Sequence, residues 1–132
     1  MHKLIKINES TATRTVELEN ELTGNIDTCF DDSALVSMNN FEFMKVGESY
    51  NCFIKLFGEI VNEENQKAVK CKIISNEMIG SKEFLKVSVN KEIYYIPRSK
   101  VKNGKKNDFL FTYTRKDLIK VNGVIHGDLL NE

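Results

Sequence analysis

Residues 84–97 read Phe84-Leu85-Lys86-Val87-Ser88-Val89, then Asn90-Lys91, then Glu92-Ile93-Tyr94-Tyr95-Ile96-Pro97. Two runs rich in β-branched and aromatic residues flank a two-residue polar break, the pattern of a β-hairpin. Asn-Lys is a weaker turn dipeptide than Asn-Gly, because a two-residue hairpin turn needs left-handed backbone at its centre. Pro97 closes the second run, since proline donates no ladder hydrogen bond. It is the only proline in the chain.

The same period of two continues outward in both directions. Leu4–Ile7 is a short apolar start. Val16 and Leu18 alternate with Glu17 and Glu19, and Leu22, Gly24, Ile26, Thr28 and Phe30 form a second apolar phase. Asp31-Asp32-Ser33 and Asn39-Asn40 read as turns. Tyr50, Cys52, Ile54 and Leu56 share one strand face, with Asn51 and Lys55 on the other. Phe53 and Phe57 break that alternation, so both faces are expected to be covered. Gly58 inside the run predicts a bulge or sharp bend. Asn62–Gln66 reads as a turn and Ala68–Ser75 as a strand. Phe109, Phe111 and Tyr113 alternate with Leu110 and Thr112. Leu118–Val121 and Val124–His126 flank Asn122-Gly123, a second hairpin with the favoured turn. Thr114-Arg115-Lys116-Asp117 resembles a capping box and predicts one helical turn before that last strand. No segment sustains a 3.6-residue apolar period.

The expected fold is mainly β: a small single-domain barrel or sandwich of about eight or nine short antiparallel strands, with at most a short helix. The 132 residues fit one domain, 1–132, with no internal repeat and no Pro/Gly/Ser-rich linker. Residues 1–8 lack the apolar run of a secretory signal, and no stretch is long and apolar enough to span a bilayer. The cytoplasm is the expected location. Cys29, Cys52 and Cys71 are odd in number and widely spaced, so a disulfide framework and a structural zinc site are both disfavoured. They read as reduced cysteines packed as small apolar side chains.

The segment Lys45-Val46-Gly47-Glu48, followed by Tyr50-Asn51-Cys52-Phe53-Ile54-Lys55-Leu56-Phe57-Gly58, resembles strand 1 of an OB-fold. That resemblance covers residues 45–58. It implies an OB-like barrel in which Ala68–Ser75 and Glu83–Val89 serve as strands 2 and 3, the usual binding strands of the family. Phe84 is the only aromatic on them. Residues 1–44 would then be extra strands covering or extending the barrel.

Lys+Arg and Asp+Glu both number 19, and the formal net charge is zero. The distribution is uneven: residues 1–66 carry 5 basic and 12 acidic side chains, and residues 67–132 carry 14 basic and 7 acidic. If the fold preserves this split, the molecule has an acidic and a basic side able to steer a charged partner or self-associate. Glu17, Glu19 and Glu21 are expected on one strand face, as a solvated row or a surface for a basic partner. Arg98, Lys100, Lys102, Lys105 and Lys106 form a basic segment, continued by Arg115, Lys116 and Lys120. Tyr94, Tyr95, Phe109, Phe111 and Tyr113 stand nearby. Lysines that neutralise phosphates beside aromatics that stack bases are how single strands are held without sequence reading. The simpler reading is a solvated loop beside core aromatics.

No P-loop, GxGxxG, GxSxG or HExxH pattern occurs. His126 reads as structural or exposed, and Asp31-Asp32 as turn residues. No catalytic residue, metal ligand or cofactor is expected. The chain reads as a non-catalytic small binding domain, most simply for a protein partner, in the manner of inhibitor or immunity proteins. The alternative is a nucleic-acid-binding OB-like barrel using residues 98–120. Zero net charge and only three arginines weigh against that alternative.

Overall fold

The computed structural model describes residues 1–36, 41–63, 65–101 and 107–130. The turn expected at Asn39-Asn40 and the loop residues Lys102, Lys105 and Lys106 lie outside these. The fold is mainly β, with ten strands in one hydrogen-bonded sheet. They are β1 (His2–Glu9), β2 (Arg14–Asn20), β3 (Ile26–Asp31), β4 (Ser49–Tyr50), β5 (Cys52–Val61), β6 (Val69–Ile79), β7 (Lys82–Val89), β8 (Glu92–Pro97), β9 (Asp108–Val121) and β10 (Val124–Ile125). One turn of α-helix, α1 (Ser33–Val36), follows β3. Short 3-10 turns follow β8 (η1, Arg98–Lys100) and β10 (η2, Gly127–Leu129).

Five strands close on themselves. β5 pairs with β9, β9 with β6, β6 with β7, β7 with β8, and β8 returns to β5 through a parallel contact at Lys55↔Tyr95. β4, β1, β2 and β3 form a flap that joins this ring where β3 meets β9, again in parallel, at Phe30↔Asp117. The main core lies inside both parts and unites Leu4, Val16, Leu18 and Cys29 of the flap with Ile54, Leu56, Val87, Ile96, Phe111 and Leu118 of the ring. A second cluster of Ile79, Phe84, Tyr95, Ile119 and Leu129 lies apart from it, with Phe53 and Ile125 packed against it. The C-terminal segment is bound here, with Ser81 N donating to Leu129 O at 2.6 Å.

Local chemistry explains most of these elements. Asn90 and Lys91 sit at φ 49° and 71°, and Asn122 and Gly123 at 48° and 86°, so both hairpins turn through left-handed backbone. Cys52, Ile54 and Leu56 face inward as their spacing predicts, while Phe53 stacks on Tyr95 at 4.6 Å. At Gly58 the pairing of β5 with β9 slips, a bulge that passes over Thr114. A Cβ on Gly58 would stand 1.9 Å from the Thr112 carbonyl oxygen, so only glycine fits. The three cysteines are free and buried.

Three expectations need correction. Residues 114–117 form no helical turn: β9 runs unbroken for 14 residues, and bulges opposite Phe57/Gly58 and Phe53/Ile54 absorb its changes of phase. The strands are not uniformly short, because β5, β6 and β9 span 10, 11 and 14 residues. The second apolar phase of residues 22–30 is not a core face. Leu22 is 90% exposed in a turn and Ile26 50% exposed, while Asp27, Cys29 and Asp31 point inward. Asp27 pairs with Lys116 there and Asp31 with Arg14. β5 takes β9 and β8 as neighbours and does not pair with β6 among the described residues.

Candidate functional site

Three groups of side chains lie where β3, β8, β9 and the C-terminal segment meet. The first is buried. Asp27 is 2% exposed, and Lys116 of β9 reaches it with Nζ 2.5 Å from Oδ1. The Tyr94 hydroxyl donates to both carboxylate oxygens at 2.9 Å, and Asn25 Nδ2 adds a bond of 3.3 Å. The rings of Tyr94 and Tyr113 stand 5.2 and 5.3 Å from Lys116 Nζ. Burial disfavours charge on Lys116, but the hydrogen bond and negative charge of Asp27 outweigh it and raise its pKa. Burial, then the Asp27 charge, pushes the Tyr94 phenol far up, so it stays a hydrogen-bond donor. Nearby, Glu92 is 7% exposed and accepts from Asn20 Nδ2 at 3.2 and 3.3 Å, and His2 Nδ1 is buried with no partner among the described residues. Burial and the adjacent N-terminal charge lower the His2 pKa.

The second group faces outward. Phe30 of β3, Arg115 and Asp117 of β9, and Lys55 and Phe57 of β5 occupy neighbouring register positions. The Arg115 guanidinium lies 4.7 Å from the Phe30 ring and 4.6 Å from the Phe57 ring. Its Nε donates to Asp117 at 2.5 Å and Nη2 at 3.2 Å, which raises its pKa further. Lys55 approaches Asp117 at 3.8 Å and lies over Phe57 at 5.7 Å. Phe57 remains 46% exposed. Two aromatic rings thus hold an arginine fixed and open to solvent.

The third group is a histidine latch. His126 is 5% exposed, and its Nδ1 accepts from the Asp128 backbone N–H at 3.1 Å, capping η2. Nε2 therefore carries the proton and donates to Asp32 at 2.6 Å. The ligand atoms of Asp32, His126 and Asp128 fall within 4.8 Å of one another. A metal on Nε2 would need a proton on Nδ1 and so would break the cap. The arrangement fastens the C-terminal segment to the end of β3 and leaves neither nitrogen free for acid–base work.

The structure disperses the residues singled out from sequence. Lys116 points inward to Asp27, and Arg115 outward to Asp117. Arg98 donates through Nη1 to the Val101 carbonyl, and Lys100 pairs with Glu59 at 2.6 Å. Lys102, Lys105 and Lys106 are outside the described residues. Glu17 and Glu19 lie on the outward face of β2, but Glu21 lies beyond its end in a turn. Lys6 stands directly opposite Glu17 on β1, and Lys3 opposite Glu19, so this row is interleaved with cations rather than uniformly acidic. β2 and β9 both neighbour β3 in the sheet. Phe30, Phe57, Asp27 and Tyr94 were not singled out as a group. The break in alternation at Phe53 and Phe57, and Tyr94 named beside the basic segment, each pointed to part of it.

These features define an all-β domain with an exposed aromatic and arginine face and a buried ionic node. No family model, curated protein or solved structure matches the chain. No helix among the described residues is long and apolar enough to cross a membrane.

Proposed function

We propose that this chain is a non-catalytic cytoplasmic domain that binds a protein partner, in the manner of an inhibitor or immunity protein. Its contact surface is the outward face of β3, β9 and β5. The carrying observation is Arg115 held between Phe30 and Phe57, with Phe57 46% exposed. Aromatics and arginine are enriched at protein interfaces and dominate their energetics. An arginine already fixed by two rings and a carboxylate loses little side-chain entropy on docking.

The alternative, a nucleic-acid surface on residues 98–120, has less support. Lys100, Arg115 and Lys116 each already hold a carboxylate partner, so fewer cations are left for phosphates. Capture from a lysate on the immobilised chain, run with and without nuclease, separates the two. A protein partner retained after nuclease is the expected result. Enrichment of RNA or DNA, with every associated protein lost on nuclease treatment, would overturn the protein-binding reading in favour of the alternative.

A further inference from the structure

We propose that Lys116 and Asp27 condense into an intramolecular isopeptide bond that joins β9 covalently to β3. The amine nitrogen lies 2.5 Å from a carboxylate oxygen, and the Asp27 and Lys116 side chains are 3% and 17% exposed. Both are anchored on strands, so the reacting atoms are held together without further ordering. Well-oriented intramolecular partners reach effective concentrations of about 10⁵–10⁸ M, which can drive an amide condensation that fails between free molecules.

The chemistry needs only groups already present. A proton moves from Lys116 Nζ to Asp27, giving a neutral amine and a neutral acid. The Nζ lone pair attacks Cγ, forming the C–N bond. The C–O bond to the hydroxyl oxygen breaks, and that oxygen leaves as water with a proton from nitrogen. One amine and one carboxylic acid give one amide and one water, with no oxidant or activating group. Tyr94 donates to both carboxylate oxygens at 2.9 Å, so its hydroxyl is placed to stabilise the oxyanion that develops during attack. The rings of Tyr94 and Tyr113 flank the nitrogen and limit water access to the product. Burial of the ion pair favours replacing two charges by a neutral amide. Asp27 favours the ammonium form of Lys116, so the neutral amine and acid are a small fraction at any moment and the condensation is slow. A reaction that each chain performs once tolerates a slow step.

The position suits a covalent brace. β3 shares one ladder position with the ring, Phe30↔Asp117, and Lys116 is adjacent to it. A bond between residues 27 and 116 would tie the flap to the ring across that thin junction.

The test is the intact mass of the purified full chain, denatured, before and after prolonged incubation at neutral pH. The expected mass is one water below that of the sequence. Trypsin should then yield a branched fragment joining residues 15–45 to residues 116–120, because a modified Lys116 is no longer a cleavage site. Lys116→Arg should show the full mass. Asp27→Asn, which keeps the side-chain shape, should form the same link with loss of one ammonia. A wild-type chain that retains its full mass after incubation would overturn the proposal. So would a one-water deficit located at any other aspartate, or one that persists in Lys116→Arg.

Discussion

Asp31 and Arg14 show how single residues support this fold. The Arg14 Nε lies 2.7 Å from Asp31, its Nη2 donates to the Phe41 carbonyl at 2.7 Å, and the side chains are 13% and 1% exposed. Removing one partner of such a buried pair strands the other charge, at a cost of about 3–5 kcal/mol. Asp31→Ala should therefore lower the free energy of unfolding by that amount in a denaturant titration. Lys100→Ala breaks an equally short pair, but Glu59 and Lys100 are 72% and 39% exposed. That change should cost less than about 1 kcal/mol. Equal losses for the two substitutions would refute the distinction by burial. The same residues explain what was hidden in the sequence. A period-two reading assigns apolar residues to the inside, and β3 reverses this by burying Asp27 against Lys116 of β9 and Asp31 against Arg14, which stands opposite it on β2. Nothing local announces such partners, so the inward face of β3 and the node around Asp27 could not be read.

At the scale of elements, the turns were legible and the long strand was not. Asn90-Lys91 and Asn122-Gly123 impose their geometry within two residues, which is why both hairpins stand where the sequence predicts. β9 changes phase twice along its length, at positions set by β5. Read alone, those phase breaks look like strand ends, and Thr114 and Asp117 then look like a helix cap. Gly58 was legible because a glycine in an apolar run marks a close approach. Gly58→Ala should force the backbones of β5 and β9 apart at Thr112 and cost about 1–3 kcal/mol or more. Gly123→Ala meets no atom within 4 Å but sits at φ +86°, so its cost should be limited to backbone strain of about 1 kcal/mol. Thermal melting of the two variants checks the order, and a Gly58→Ala chain as stable as Gly123→Ala would contradict the packing at the bulge.

For the whole molecule, burial of neutral groups bounds stability on both sides of neutrality. Burial raises the thiols of Cys52 and Cys71 from 9.0 to about 12. Above pH 9 the unfolded chain releases these protons while the folded chain keeps them, so the unfolded state binds fewer protons and stability falls as pH rises from about 9 to 12. His2 works in the opposite direction. Its folded pKa lies below 6.5, so on acidification the unfolded chain gains a proton first and stability falls below that pH. Denaturant midpoints across pH 5–11 should give a plateau between about 6.5 and 9. Midpoints constant up to pH 11 would show that the thiols are not held neutral by the fold.

The exposed ring–arginine–ring arrangement carries the functional reading, and one comparison tests it. Wild type, Phe57→Ala/Arg115→Ala and the remote control Lys82→Ala are each immobilised, and retention of the nuclease-resistant protein partner is measured. Truncating interface hot spots typically costs 2 kcal/mol or more, about thirtyfold in affinity. Wild type and Lys82→Ala should hold the partner equally, and the double variant, folded by its melting curve, should lose it. Equal retention by a folded Phe57→Ala/Arg115→Ala chain would contradict the assignment of this face.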